Sequence, residues 1–245
     1  MGIYASAKNK KLNSFDLFLY FVKGGKLIKF VDMIQVKRFE NNPFAENTYL
    51  LFDESKECVV VDPGMYTQAE EMAVLEFIDK YKLKPTLLLN THCHVDHVLG
   101  NKFIYEQFNL LPQFHELEAA VLSDVQVRAP MFGLRYEQSP IPEQFLQETG
   151  SVYFGDSSLE LIFAPGHSPG HLCFYSVADK LLIGGDVLFK GSIGRTDLPG
   201  GNHQLLLKNI SEKLYRLSDE TLVYPGHGPE TSIGAEKESN PFIRG

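Results

Sequence analysis

The sequence predicts an α/β fold, and three observations predict it. Short apolar runs rich in Val, Ile, Leu and Phe, bounded by Gly, Pro and Asp, recur in both halves of the chain. Between them lie segments whose apolar residues repeat with helical spacing. No stretch between the halves has the composition of a linker, and 245 residues at 44% hydrophobic content can bury a sizeable core. Strands and helices are therefore mixed along one domain, with no internal repeat and no membrane span.

From Met33 onward the pattern is strand-rich. Residues 34–39, 47–52 and 58–62 read as a meander, broken at Pro43 and at Asp62-Pro63-Gly64. Val74, Phe77, Ile78 and Tyr81 recur at i, i+3, i+4 and i+7, so residues 67–81 form an amphipathic helix with Thr67 as its cap. Residues 86–90 read as a buried strand, and residues 98–108 and 116–124 as helices. Residues 125–150 read as irregular, because Pro130, Pro140 and Pro142 interrupt a stretch holding Met131, Phe132, Tyr136 and Phe145. Such a segment is a loop over a pocket, part of a subunit interface, or a connection that covers the core. Strands resume at residues 159–163, 171–176 and 180–184, and a glycine-rich loop then runs through Gly201. Leu207, Ile210, Leu214 and Leu217 mark a helix after Asn202, and residues 221–224 close the pattern as a strand.

The run Thr91-His92-Cys93-His94-Val95-Asp96-His97 stands where the strand of residues 86–90 ends and a loop begins. Open sites on α/β layers are built at such places. Imidazole and carboxylate suit zinc, iron or manganese. In extended backbone, residues two apart face the same way, so His92 and His94 can grip one ion while the turn after them aims Asp96 and His97 elsewhere. Cys93 points away by the same period, and it has no partner at the spacing of a closed structural zinc site. A metal-free surface cluster is the bland alternative, but it must gather three of the chain's eight histidines around one aspartate by chance.

Three distant residues repeat this placement. His167 follows Leu161-Ile162-Phe163-Ala164-Pro165-Gly166, Asp186 follows Ile183-Gly184-Gly185, and His227 follows Val223-Tyr224-Pro225-Gly226. Each comes after an apolar run and a glycine, which permits a tight turn and frees the side chain to point outward from a sheet edge. Taken singly, His167 and Asp186 could be caps and His227 a surface residue. With the first four they make seven ligands, enough for two ions if Asp186 bridges them.

Composition narrows the partners. A net charge of −8 does not favour a polyanion, which argues against nucleic acid. Cys58, Cys93 and Cys173 are odd in number and scattered, which fits a reducing compartment and a cytoplasmic location. At the N-terminus, Lys8, Lys10 and Lys11 precede an apolar run from Leu17 to Val22, as in a secretory signal. However, Asp16 interrupts the approach, the run is short, and Lys23-Gly24-Gly25-Lys26 offers no small-residue cleavage site. Residues 1–32 are expected to be an upstream extension without a catalytic part, and residues 33–245 the functional domain.

Through His92-Cys93-His94-Val95-Asp96-His97, followed in order by His167, Asp186 and His227, the sequence resembles the metallo-β-lactamase superfamily over about residues 33–245. The resemblance implies a four-layer αβ/βα sandwich with a dinuclear metal site at one edge of its two sheets. By that analogy His92, His94 and His167 hold the first ion, Asp96, His97 and His227 the second, and Asp186 bridges. Within the superfamily the details look most like the glyoxalase II group, the hydroxyacylglutathione hydrolases, and its short bacterial relatives. Asp186 occupies the bridging place where many true β-lactamases have a cysteine, and His94 stands where flavodiiron reductases carry a glutamate. Gly194-Arg195-Thr196-Asp197 resembles a segment shared by short glyoxalase-like hydrolases and persulfide dioxygenases, although Arg195 and Asp197 also read as an ion pair pinning their loop. The ending Pro225-Gly226-His227-Gly228-Pro229-Glu230-Thr231 through Asn240-Pro241-Phe242 is most similar to the short hydrolases. Two departures matter. Full glyoxalase II enzymes continue past the last ligand into a helical domain that contacts glutathione, whereas 18 residues follow His227 here. The interval of 70 positions from His97 to His167 is longer than in the short relatives, so residues 125–150 are expected to shape the pocket and select the substrate.

The resemblance implies a metal-dependent hydrolase of hydroxyacylglutathione-like thioesters. Two divalent ions would activate the attacking water, zinc first and iron or manganese as alternatives, with Asp96 as the catalytic residue orienting it. The competing readings are a mononuclear iron persulfide dioxygenase using His92, His167 and Asp186, and a non-catalytic binding protein that retains its metals. The expected partner is a small-molecule substrate, with neither nucleic acid nor membrane. These residues do not set the oligomeric state.

Overall fold

The computed structural model describes residues 33–245 and, before them, the backbones of two short strands, β1 (Phe21–Lys23) and β2 (Lys26–Ile28), paired antiparallel. The chain divides into two compact units, Met1–Asp32 and Met33–Gly245. The expected non-catalytic role of residues 1–32 lies outside the described residues. Every element from β3 onward belongs to the second unit.

The meander predicted after Met33 is present. β3 (Gln35–Asn41), β4 (Glu46–Phe52) and β5 (Glu57–Val61) pair antiparallel in sequence. Helix α1 (Gln68–Tyr81) carries the chain over to β6 (Lys84–Leu89), parallel to β5. Helices α2 (Val95–Val98) and α3 (Asn101–Phe108) lead to the short β7 (Pro112–Gln113), parallel to β6. After α4 (Glu118–Met131), strands β8 (Ser151–Phe154), β9 (Ser157–Phe163), β10 (Leu172–Ser176) and β11 (Leu181–Gly185) form a second antiparallel meander. A hairpin of β12 (Leu188–Phe189) and β13 (Ser192–Ile193) and helix α5 (His203–Glu212) precede β14 (Leu222–Pro225), which lies parallel to β11. β15 (Thr231–Ser232) borders β14, and α6 (Ile233–Ser239) comes next. The sheet orders are β3-β4-β5-β6-β7 and β15-β14-β11-β10-β9-β8.

The layers arise from side-chain alternation. In β4 and β5, Tyr49, Leu51, Val59 and Val61 pack against Val152, Leu159, Leu161, Phe174 and Ile183 of the second sheet, so the two sheets face each other. Their neighbours Leu50, Phe52, Cys58 and Val60 point to the opposite face and meet Val74 and Ile78 of α1 and Ile104 of α3. In the second sheet Cys173, Tyr175, Leu182 and Val223 likewise turn outward onto Leu206 and Ile210 of α5 and Ile233 of α6. The result is helix, sheet, sheet, helix. Central strands are buried on both faces, which is why β4 and β5 read as continuous apolar runs. Thr67 caps α1 as expected, in a capping box: its hydroxyl accepts the Glu70 N–H while Glu70 Oε2 accepts the Thr67 N–H at 2.8 Å.

Four expectations need correction. The helix expected at residues 98–108 is two helices. Gly100 separates them because its N–H donates to the Pro63 carbonyl at 2.7 Å, and a Cβ there would lie 2.9 Å from that oxygen. Residues 125–131 are not irregular: α4 continues to Met131, since Leu122, Val125 and Ala129 prolong its buried stripe and Pro130 falls in the last turn, where it costs little of the helical ladder. Strand β8 and helix α6 were not expected, being short elements in polar or glycine-containing sequence. The glycine-rich loop before Gly201 contains the β12–β13 hairpin.

Candidate metal centre

The C-terminal ends of β6, β9, β11 and β14 deliver all seven predicted ligands to one place. After β6 the chain bends at Thr91, is extended at His94, the residue preceding α2, and then turns helical, so the connecting segment carries His92 and His94 and the first helical turn carries Asp96 and His97. His92, His94 and His167 form one group whose ligand atoms lie within 4.8 Å of one another, and Asp96, His97 and His227 form a second. His167 Nε2 is 3.2 Å from His92 Nε2 and 2.9 Å from His94 Nδ1. Asp96 Oδ2 is 3.1 Å from His227 Nε2 and 3.8 Å from His97 Nε2. Asp186 lies between the groups, with Oδ2 3.4 Å from His167 Nε2 and 3.6 Å from His227 Nε2, and Oδ1 3.5 Å from His97 Nε2.

Two glycines make this convergence possible. Gly185 has φ +50°, and a Cβ on it would lie 2.5 Å from Thr91 Oγ1 and 2.6 Å from His171 Nε2. A Cβ on Gly226 would collide with Asp186 Oδ1 and sit 2.7 Å from His97 Cε1. Gly226 therefore gives room to Asp186 and His97, and Gly185 to Thr91 and His171 beside them.

The ring nitrogens facing away from the centre are held. His97 Nδ1 donates to Asp62 Oδ2 at 3.1 Å, His167 Nδ1 to the Arg195 carbonyl at 2.8 Å, and His227 Nδ1 to the Phe44 carbonyl at 3.1 Å. His92 Nδ1 is 3.0 Å from Thr91 Oγ1, whose own proton goes to Asp62 Oδ2 at 2.6 Å. These bonds orient the rings and leave four Nε2 atoms pointing inward, as in histidines that ligate metals. His94 alone presents Nδ1. A third potential grouping, Asp62 with His92 and His97, is committed elsewhere: Asp62 accepts the Thr91 N–H at 2.7 Å through Oδ1 and the two bonds above through Oδ2. His97 Nε2 and Asp186 Oδ1 are buried without any hydrogen-bond partner. Such orphaned atoms are costly unless something fills them, and a cation between them would do so. The donor set of imidazoles and carboxylates therefore fits divalent metal ions.

Electrostatics point the same way. Burial pushes His94 down to about 3, with His167 beside it adding to the effect, and burial likewise pushes His92 well down, so both rings are neutral donors. Burial alone would raise Asp186, but His97, His167 and His227 hold it well below the usual carboxylate range. Burial would lower His97, whereas Asp186 and Asp96 hold it well above an ordinary imidazole.

The centre opens into a cleft of about 660 Å³ lined by Phe44, Val121, Val125, Phe132, Phe189 and Leu198 among others. Of the segment expected to shape the pocket, Val125, Arg128 and Phe132 line it, all on α4 or the residue after it; residues 133–150 do not. Arg195 and Asp197 form the loop-pinning pair, Nε to Oδ1 at 2.7 Å and Nη2 to Oδ2 at 2.8 Å. Cys93 is fully buried among Val98, Phe114 and Leu122.

Several site residues went unrecognised in the sequence. Asp62 had a usable signal, standing after an apolar strand like the ligands, but Asp62-Pro63-Gly64 read only as a turn. His171 accepts the Asp186 N–H at 3.1 Å and stacks on His92 with ring centroids 4.9 Å apart. Glu118 accepts the Cys93 N–H at 2.8 Å. Nothing local marks either residue.

Comparisons with known proteins agree with this geometry. The model of the metallo-beta-lactamase superfamily matches residues 41–227. A probable metallo-hydrolase, YqgX of Bacillus subtilis strain 168, is 36% identical over 85% of this chain and 97% of its own length. The hydroxyacylglutathione hydrolase GloC of Haemophilus influenzae is 34% identical over 82% of this chain and 93% of its own. Among solved structures, the BLEG-1 B3 metallo-beta-lactamase superposes with a TM-score of 0.79 at 33% identity, covering 86% of this chain and all of that one. TTHA1623 in a di-iron-bound form superposes at 0.76 and 35%, covering 85% and 100%. On the family match, the shared fold and the relatives aligned over most of their length, the chain belongs to the metallo-β-lactamase superfamily.

Proposed function

We propose that this chain hydrolyses thioesters of the hydroxyacylglutathione type, with His92, His94 and His167 holding one divalent ion, Asp96, His97 and His227 a second, and Asp186 bridging. The observation that carries the reading is the single Asp186 carboxylate facing both histidine groups at 3.4 to 3.6 Å. Two divalent ions in such a site lower the pKa of a bound water and polarise a carbonyl oxygen. The chain's own residues do the rest. Asp96 would accept a hydrogen bond from the attacking water and orient it, and Val121, Val125 and Phe132 give the substrate an apolar wall.

The cleft's acids favour a thioester over an amide or β-lactam. Outside the seven ligands its titratable side chains are Cys93, Asp124, Arg128 and Arg195. Asp124 is bonded to Arg128 at 3.1 Å, and burial holds the Cys93 thiol well above its ordinary value. No free acid among these residues stands ready to protonate an amine, whereas a thiolate, with a pKa of about 8.5, leaves unaided. The 34% identical relative named as a hydroxyacylglutathione hydrolase supports the same substrate class. Zinc is the proposed metal; the relative described as di-iron-bound makes iron the competitor.

Metal analysis of the purified protein, paired with thioester, persulfide, β-lactam and phosphodiester assays, tests the proposal. The expected result is two ions per chain and thiol release from lactoylglutathione. Iron with oxygen consumption on a persulfide would establish the dioxygenase instead, and two bound ions without turnover of any substrate would establish a binding protein.

A further inference from the structure

We infer that Glu118 is a positioning residue that fastens the His92–His94 loop to the His167 loop and thereby holds the first ligand group together. This rests on the metal-centre reading and not on the choice of a thioester. Glu118 sits in the first turn of α4 and is completely buried. Its Oε2 accepts the Cys93 N–H at 2.8 Å, and its Oε1 accepts the Ser168 hydroxyl at 2.5 Å and the Gly170 N–H at 2.6 Å. Cys93 stands between two ligands of the first group, and Ser168 follows the third. Gly170 precedes His171, which braces the Asp186 backbone and stacks on His92.

Burying a carboxylate is expensive, and among the described residues no cation lies within salt-bridge distance of this one. Its three donors offset that cost, and they come from two loops that are also joined by a backbone bond from the Leu172 N–H to the Thr91 carbonyl at 2.8 Å, so Glu118 adds a second tie nearer the ligand side chains. A neutral side chain of similar size could fill the space but could not accept at both ends. The fit is tight as well: a Cβ on Gly170 would lie 2.9 Å from Glu118 Cγ and 3.0 Å from its backbone nitrogen, so this position suits glycine. The arrangement parallels that of Asp62, which gathers Thr91 and His97. Asp62 thus touches both groups, His97 directly and His92 through Thr91, whereas Glu118 ties the two loops of the first. Because α4 also lines the cleft through Val121, Val125 and Arg128, Glu118 joins the substrate wall to the ligand loops.

The test is Glu118→Gln, which keeps the shape but must turn its amide NH₂ toward either the Cys93 N–H or the Ser168 and Gly170 donors. With zinc limiting, anomalous-scattering occupancies in crystals should fall at the His92, His94 and His167 position relative to the Asp96, His97 and His227 position. In solution, by chelator competition, one of the two binding steps should weaken roughly 10- to 100-fold. Ser168→Ala removes one donor and leaves both backbone bonds, so it should shift the same ratio in the same direction by a smaller factor, roughly 2- to 10-fold. Equal loss at both positions would mean a general effect on folding and would overturn the inference, as would an unchanged ratio. If Glu118→Gln fails to fold, Ser168→Ala decides alone: an unchanged ratio overturns the proposal and a selective loss supports it. Because the readout is ion occupancy, absence of thioester turnover would sink the proposed function and leave this inference standing. Absence of any bound ion in the unaltered protein would remove both.

Discussion

Asp186 Oδ1 lies 3.5 Å from His97 Nε2, and neither atom, although buried, has a hydrogen-bond partner. The other oxygen of the same carboxylate lies 3.4 Å from His167 Nε2, in the opposite ligand group. Asp186→Ala should therefore take metal content from two ions per chain to one or none. Loss of an outer partner of a ligand typically costs 10- to 100-fold, so losing the ligand itself should lower hydrolysis by at least roughly 100-fold. Elemental analysis checks the first outcome, and full stoichiometry in the variant would refute the bridging role.

Asp62 reaches His97 directly and His92 through Thr91. Asp62→Asn keeps the volume but places an NH₂ against donors. Zinc affinity, read by competition with a chromogenic chelator, should drop by roughly 10- to 100-fold while the far-ultraviolet circular dichroism stays unchanged. Wild-type affinity would show that His97 needs no partner to hold its tautomer.

All three cysteines are buried and free. Burial pushes the Cys58 thiol up to about 12, and the other two are raised as well. A group whose pKa is raised this way stays protonated at pH 8, and the protonated thiol is a poor nucleophile. The native protein should therefore give no fast reaction with a disulfide reagent at pH 8, and three thiols per chain in denaturant. Cys93→Ala should retain both ions. One rapidly reacting thiol in the native state would contradict the packing described for these residues.

Phe44 and Phe132 meet edge to face with centroids 5.4 Å apart, and both line the cleft. Phe132→Ala removes a contact of about 0.5–1.5 kcal/mol. It should raise KM for thioesters with apolar acyl groups about 2- to 10-fold without altering metal content. An unchanged KM across acyl chains of increasing length would place substrate elsewhere.

Away from the site, Thr67→Ala removes half of the α1 capping box. The expected cost is about 1 kcal/mol, seen as a fall of about 2–4 °C in the midpoint of thermal unfolding, with metal stoichiometry unchanged.

Much of the site was legible because its ligands share one local signature. His92, His167, Asp186 and His227 each come shortly after an apolar run, and an apolar run that ends near a ligand-type residue marks a strand end on an α/β layer. The α1 helix was legible for a similar reason, since Thr67, Val74 and Ile78 carry cap and periodicity within one short window. α4 was truncated because Pro130 outweighed the continuing stripe of Leu122, Val125 and Ala129. The break at Gly100 could not be foreseen, because its cause is the Pro63 carbonyl, distant in sequence.

By itself the sequence determined the alternation of strands and helices and marked out the seven histidines and aspartates that converge at the strand ends, since each mark depends on chemistry and spacing within a few positions. Only the tertiary structure decided which buried carboxylates serve them. Asp62 and Glu118 act through donors supplied by other strands and loops. The Asp62–His97 bond exists only once β5 and β6 have paired, and the Glu118–Ser168 bond only once a loop of the second sheet has met α4.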